Sequence, residues 1–221
     1  MADGLPIELV IFDCDGVLID SEPTANLILT RALNREGLRI GRPAVAKKTR
    51  GLSMASVVDW SERELGRPLP TNFLGRVRNE TFDAFRASRR AMPGVGAAVE
   101  RIKAGGTRVC VASSGEPEKM NLTLGLTGLA QYFDGNLFSA TQVSRGKPEP
   151  DLFLHAADRM KTGPDQAVVV EDSLPGLLAA LRAGMRAFMY VPRGDGEPMF
   201  WDSATVFRRM AELPDLIPGK G

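Results

Sequence analysis

Short apolar runs alternate with longer amphipathic stretches along most of this chain. Residues 9–12, 107–112, 136–138, 167–170, 186–190 and 204–207 are brief, mostly apolar segments, several rich in valine, isoleucine and phenylalanine. Continuous runs of that length, bounded by turn residues, suit strands buried on both faces of a parallel sheet. Between them, 95–103, 118–126, 151–160 and 175–183 carry apolar residues at helical spacing. Gly105-Gly106 and Gly184 stand where helices should end, and Pro93 and Pro175 suit first turns. Strands and helices in this alternation predict βαβ units and an α/β, doubly wound, Rossmann-like parallel sheet.

Residues 18–90 break the rhythm. They contain no convincing strand, while 21–36, 53–65 and 71–88 read as amphipathic helices with charged outer faces. Gly37, Gly66 and the Pro68 and Pro70 pair punctuate them. The pattern returns to βαβ at Met92-Pro93-Gly94. This predicts a core built from 1–17 and 91–221, with 18–90 inserted as a helical cap.

The chemistry-bearing residues collect where apolar runs stop. The run 9–12 ends at Asp13 and Asp15, which point the same way along an extended chain while Cys14 points away. Unpaired carboxylates at a buried strand end need a cation or a proton. A helix cap would need only one Asp. The second run ends at Ser113 and Ser114, hydroxyls just before a helix N-terminus, an arrangement that suits phosphate. Lys147 lies in R-G-K-P-E-P-D, a stiff loop that would fix a point charge. The fourth run ends at Glu171 and Asp172. Ligands bind outside the carboxyl ends of such strands, and acids from two of them make an oxygen-rich pocket suited to Mg²⁺.

Composition narrows the alternatives. The formal net charge is +1, with both signs dispersed, so no basic stripe favours nucleic acid. Lys47-Lys48 and Arg89-Arg90 read as solvated helix faces. No apolar segment approaches the roughly 20 residues of a membrane span, and no signal peptide is evident, so a cytoplasmic protein is expected. Cys14 and Cys110 sit in apolar strands and read as buried thiols in a reducing compartment. His155 is the single histidine. A serine or cysteine triad, or a zinc site, would have to rest on it alone, so the chemistry is expected to run on carboxylates.

The ordered set D-C-D-G-V-L, A-S-S, G-K-P-E-P-D and V-V-V-E-D-S resembles the four motifs of the haloacid dehalogenase-like superfamily. It is most similar to the small phosphatase and phosphomutase branch, and the resemblance covers nearly the whole chain. The resemblance implies a Rossmann-like core with an α-helical cap that closes over the site. It implies Asp13 as the nucleophile that forms an aspartyl phosphate. Asp15 is then the group that protonates the leaving oxygen and activates water, its backbone carbonyl also ligating Mg²⁺. Asp15 has to carry a proton in the first step, which its acidic neighbours favour. Asp172 becomes a metal ligand, with Glu171 acting through water. Ser113, assisted by Ser114, binds phosphoryl oxygens together with Lys147, which also offsets the charge on Asp13. True haloacid dehalogenases lack the second acid, so Asp15 argues for phosphate chemistry.

Substrate choice in this family resides largely in the cap. The segment 47–53 resembles the specificity loop, with Arg50 facing a carboxylate or the distal part of a sugar phosphate, or else standing as a surface arginine before a turn. Gly51 would allow close backbone approach. Trp60 reads as cap packing. β-Phosphoglucomutases resemble this chain in every core motif, but the cap position of their restraining histidine corresponds to about Ala25, which favours a phosphatase. The stretch from Lys119 through residues 155–157 is also similar to 6-phosphogluconate and related sugar-phosphate phosphatases. The expected partner is a small phosphorylated metabolite, acted on with Mg²⁺ by a monomer, a dimer being the alternative. A regulatory relative that binds phosphate without turnover would normally have lost a motif residue.

Overall fold

In the computed structural model, which describes residues 6–49, 54–88, 90–192 and 203–217, six strands form one wholly parallel sheet. They are β1 (Leu9–Phe12), β2 (Arg108–Ser113), β3 (Leu137–Ser139), β4 (Ala167–Glu171), β5 (Arg186–Tyr190) and β6 (Thr205–Phe207), in spatial order β3-β2-β1-β4-β5-β6. Phe12 stands in register with Val111 on one side and Val170 on the other. β1 is therefore central, and its fully buried L-V-I-F run is what that position demands.

Alternation along the strands divides the core into two layers. Val10, Phe12, Val109, Val111, Val168 and Val170 face one side. There they pack with Val95, Ala98, Val99 and Ile102 of α5 (Val95–Ala104) and with Met120 and Leu124 of α6 (Pro117–Leu126). Leu9, Ile11, Cys110, Ala112, Ala167 and Val169 face the other. They meet Leu152, Phe153, Ala156 and Ala157 of α7 (Asp151–Arg159), and Leu177, Ala179 and Ala180 of α8 (Leu174–Arg182). Helices thus cover both faces of the sheet, as right-handed βαβ crossovers produce. Successive strands run outward one way from β1 to β3, then the other way from β4 to β6. The reversal lies between β1 and β4, and ligands in such sheets bind at that point, beyond the carboxyl ends.

Ser21–Arg90 form a second compact unit, and Met1–Asp20 with Ala91–Gly221 form the first. The division falls three residues later than the expected start at residue 18. Leu18 and Ile19 are 0% and 2% exposed, embedded in the layer beneath α5, and the Met92 N–H donates to the Leu18 carbonyl. The smaller unit contains α1 (Glu22–Arg35), α2 (Arg42–Thr49), α3 (Met54–Leu65) and α4 (Phe73–Ser88). Ile28, Leu33, Val45, Val57, Phe73 and Val77 form its core, and Trp60 packs against them with its Nε1 donating to Glu64 at 3.2 Å. Arg35 donates to both oxygens of Glu80 at 2.7 Å, and Arg76 to Glu36 at 2.5 Å.

Several local expectations are corrected. Residues 47–49, the start of the expected specificity loop, instead end the helix α2, whose extent from Arg42 the apolar pattern does not announce because Val45 alone among its eight residues is buried. Pro93 precedes α5 rather than entering it, since Gly94, at φ +79°, is the N-cap. Pro175 does fall in the first turn of α8, where the Ser173 hydroxyl accepts from the Gly176 N–H at 3.2 Å. Lys47, Lys48 and Arg90 are exposed. Arg50 and Gly51 lie outside the described residues. Among the described residues, no helix is long and apolar enough to cross a membrane.

Candidate active site

Three neighbouring strands deliver carboxylates and a hydroxyl to one end of the sheet. Asp13 follows β1 directly, and its N–H is held by the Val170 carbonyl at 2.9 Å, which ties the residue to β4. The side chain is almost wholly buried. Lys147, from the loop between β3 and α7, donates to Asp13 Oδ1 at 2.5 Å, to Glu171 Oε1 at 2.7 Å and to the Ala112 carbonyl at 3.2 Å. Three acceptors meet the three donors of an ammonium group. The Phe153 ring, its centroid 4.8 Å from Nζ, closes another side.

The electrostatics follow from that enclosure. Burial works against the charge on Lys147, but Asp13 and Glu171 outweigh it and hold the ammonium well above the ordinary lysine value. Burial pushes the Asp13 carboxyl up, Lys147 pulls it back, and Glu171 and Asp15 push it up again, leaving it at about 7. A carboxylate so placed favours any further positive charge beside it. Burial also pushes the Cys14 and Cys110 thiols up, and both are buried and free of disulfides. His155 stacks edge-on against Phe138 at 5.6 Å between centroids, as a packing residue does.

Glu171 is occupied on both oxygens. Oε1 accepts from Lys147, while Oε2 accepts from the Asp172 and Ser173 N–H groups, each at 2.9 Å, and from the Ser173 hydroxyl at 2.8 Å. It therefore holds the β4 loop and Lys147 together. Gly176 makes room for it, because a Cβ there would lie 1.8 Å from Oε1. Glu171 is 1% exposed and held by four donors, so it cannot swing aside. Gly176→Ala is expected to cost about 2–3 kcal/mol by overpacking. Urea unfolding checks this, and a variant as stable as the parent would contradict the packing described.

One oxygen from each of Asp13, Glu171 and Asp172 lies within 4.8 Å of the others. Asp13 and Asp172 offer hard carboxylate oxygens, which suit Mg²⁺ rather than a thiophilic metal, while Glu171, already bonded on both oxygens, adds negative charge beside them. Gly16, at φ +85°, lets the chain turn beneath Asp172, whose Oδ2 would lie 2.1 Å from a Cβ at that position. The loop after β1 is thus moulded to the Asp172 carboxylate, and the residues present fit a divalent cation.

Ser113 is the last residue of β2 and 1% exposed. Its Oγ accepts from the Gly115 N–H at 3.0 Å, and the Ser139 hydroxyl donates to the Gly115 carbonyl at 2.8 Å, fixing the turn before α6. Ser114 is exposed on that turn. Asp15 meets a residue that sequence reasoning did not place in the site: Lys119 Nζ donates to its Oδ2 at 2.7 Å, a positive charge that opposes the proton expected from its acidic neighbours. Burial works against the charge on Lys119, and Asp15 more than restores it. The place of Lys119 in the first turn of α6, just past Ser113, puts it near the site, but nothing in the sequence pairs it with Asp15.

Parallel α/β topology, a site at the reversal point and a lysine-bridged carboxylate cluster define the class. A profile of the haloacid dehalogenase-like hydrolase family matches residues 7–184. The chain is 31% identical over 216 residues to 6-phosphogluconate phosphatase of Escherichia coli, covering 97% of this chain and 96% of that protein. A haloacid dehalogenase-like protein of unknown function from Agrobacterium tumefaciens superposes with a TM-score of 0.81 at 32% identity, covering 96% of this chain and 97% of that one. A candidate β-phosphoglucomutase from Thermotoga maritima does so with a TM-score of 0.80 at 28% identity, covering 95% and 98%. The chain belongs to the haloacid dehalogenase-like hydrolase family.

Proposed function

We propose that this protein is a Mg²⁺-dependent phosphomonoesterase acting on a small phosphorylated metabolite, a sugar phosphate or phosphosugar acid. The observation that carries the reading is the buried Asp13 held by Lys147 beside Glu171 and Asp172, with a second acid, Asp15, two residues on. The similarity to a 6-phosphogluconate phosphatase along nearly the whole chain supports the substrate class.

In this reading Asp13 attacks phosphorus, an O–P bond to the carboxylate forms, and the bond to the alcohol oxygen breaks. Asp15 gives its proton to that oxygen. Water then attacks the aspartyl phosphate, Asp15 takes its proton, and inorganic phosphate leaves. Covalent capture replaces one difficult displacement by two easier ones. Lys147, its three donors engaged by Asp13, Glu171 and the Ala112 carbonyl, keeps Asp13 in place instead of reaching the phosphoryl group as expected from the sequence, and Ser113, assisted by Ser114, receives the equatorial oxygens. Phosphoryl transfer asks for this kind of positioning and charge neutralisation. Asp13, Asp172 and the Asp15 carbonyl would hold Mg²⁺, with Glu171 behind them through water. Bound there, the ion supplies positive charge to the phosphoryl oxygens. The larger unit is thus the catalytic core, and Ser21–Arg90, Arg50 and Gly51 included, is the substrate-selecting cap.

A panel of phosphorylated sugars and sugar acids, assayed for phosphate release, tests this reading. β-Glucose 1-phosphate with a bisphosphate primer belongs in it. Isomerisation without net release would make the enzyme a mutase, against the alanine at position 25 of α1. Chelation with excess EDTA is expected to abolish release, and added Mg²⁺ to restore it. Full turnover in the chelator would remove the metal from the account.

A further inference from the structure

The two lysines of the site differ in one respect that bears on the substrate. Lys147 is sealed in, with 4% of its side chain exposed. Lys119 is 25% exposed and its partner Asp15 30%, so this ion pair stands on the open side of the carboxylate cluster. It is not remote from the chemistry. A Cβ on Gly115 would lie 3.3 Å from Ser113 Oγ, 3.7 Å from Asp15 Oδ2 and 3.7 Å from Lys119 Cδ. Those three side chains therefore surround one point beside the turn that follows β2.

We infer that Lys119 determines specificity by binding a carboxylate on the alcohol half of the substrate, while it positions Asp15. The inference rests on the phosphatase reading above and narrows its substrate class to phosphorylated carboxylic acids. If Asp15 delivers a proton to the ester oxygen, that oxygen comes within about 3 Å of its carboxyl. Lys119 Nζ is 2.7 Å from the same carboxyl. The ester oxygen itself then lies within roughly 6 Å of the ammonium, two hydrogen-bond lengths, and a group two or three bonds beyond it reaches Nζ where the substrate chain folds back toward Asp15. An ammonium is a compact point charge with three rotatable donors, so it can bridge Asp15 and a second anionic oxygen. A neutral hydroxyl at that place gains only a hydrogen bond, whereas a carboxylate gains a charge-assisted one. Lys147, spent on Asp13, Glu171 and the Ala112 carbonyl, does not serve this purpose.

The test uses matched pairs that differ by a carboxylate two or three bonds from the ester oxygen: 3-phosphoglycerate against glycerol 3-phosphate, and phosphoglycolate against 2-hydroxyethyl phosphate. Phosphate release is measured with the full-length protein and with Lys119→Met and Lys119→Arg. Binding of the same four compounds is measured calorimetrically in Asp13→Asn, with and without Lys119→Met. In at least one pair, Lys119→Met is expected to lower the preference for the acid about tenfold, seen mainly in KM and in the binding constants. Lys119→Arg is expected to keep most of that preference. A common fall in kcat across all compounds reports the positioning of Asp15. Preference unchanged by Lys119→Met in both pairs overturns the inference, even if phosphate is released. If no compound is hydrolysed, the phosphatase reading falls, and the binding arm alone still decides whether Lys119 selects the acid.

Discussion

Asp13→Asn is expected to lower phosphate release by about 1000-fold or more, the loss typical of removing a covalent nucleophile. The amide keeps the shape of the carboxylate, so the buried position at the end of β1 remains filled. It can still accept from Lys147, but it is a poor nucleophile. Steady-state turnover in Mg²⁺, beside a circular dichroism spectrum that matches the parent, checks both parts. Retention of a tenth of the activity would show that water attacks phosphorus directly.

Lys147→Met is expected to have the largest effect on the folded state. Lys147 Nζ lies 2.5 Å from Asp13 Oδ1 and 2.7 Å from Glu171 Oε1, with 4%, 10% and 1% of the respective side chains exposed. Without the ammonium, two carboxylates face each other with little access to water. Breaking a buried ion pair by removing one partner costs about 3–5 kcal/mol, because an uncompensated charge remains. Urea unfolding of the metal-free protein should show a loss in that range. Adding Glu171→Gln should recover part of it by removing one of the stranded charges, even though the amide satisfies the β4 loop less well. A loss under about 1 kcal/mol would mean that the pair carries little of the charge balance. Activity should also fall, since Asp13 loses the group that holds it.

The two variants separate chemistry from architecture, and the same distinction decides what could be read from the residues. Asp13, Glu171 and Asp172 were legible because apolar runs stop at them, and a parallel sheet brings the stopping points of β1 and β4 together. Lys147 was legible from its stiff setting between glycine and proline. What could not be read was how the groups pair. Glu171 looks in sequence like a metal-site acid, yet both its oxygens are engaged by Lys147 and its own loop. Gly176 gives no hint that its missing Cβ is the space Glu171 fills.

Lys119 was not legible as a partner of Asp15. A lysine on an amphipathic helix looks the same in sequence whether it is solvated or turned toward a strand end 104 residues away. The helix α2 escaped for the opposite reason, since with Val45 its only buried residue it carries almost no apolar periodicity. The unit boundary shifted because Leu18 and Ile19 continue the buried run past Gly16, which a scan for strands alone does not reveal.

Two displacements at phosphorus, the first by Asp13, are the core of this account. The most direct test is the stereochemical course of hydrolysis of a phosphorothioate ester made chiral with oxygen isotopes, carried out in isotopically labelled water. Two in-line displacements give net retention of configuration, the result expected here. Net inversion would mean a single attack by water, leaving Asp13 no part as nucleophile.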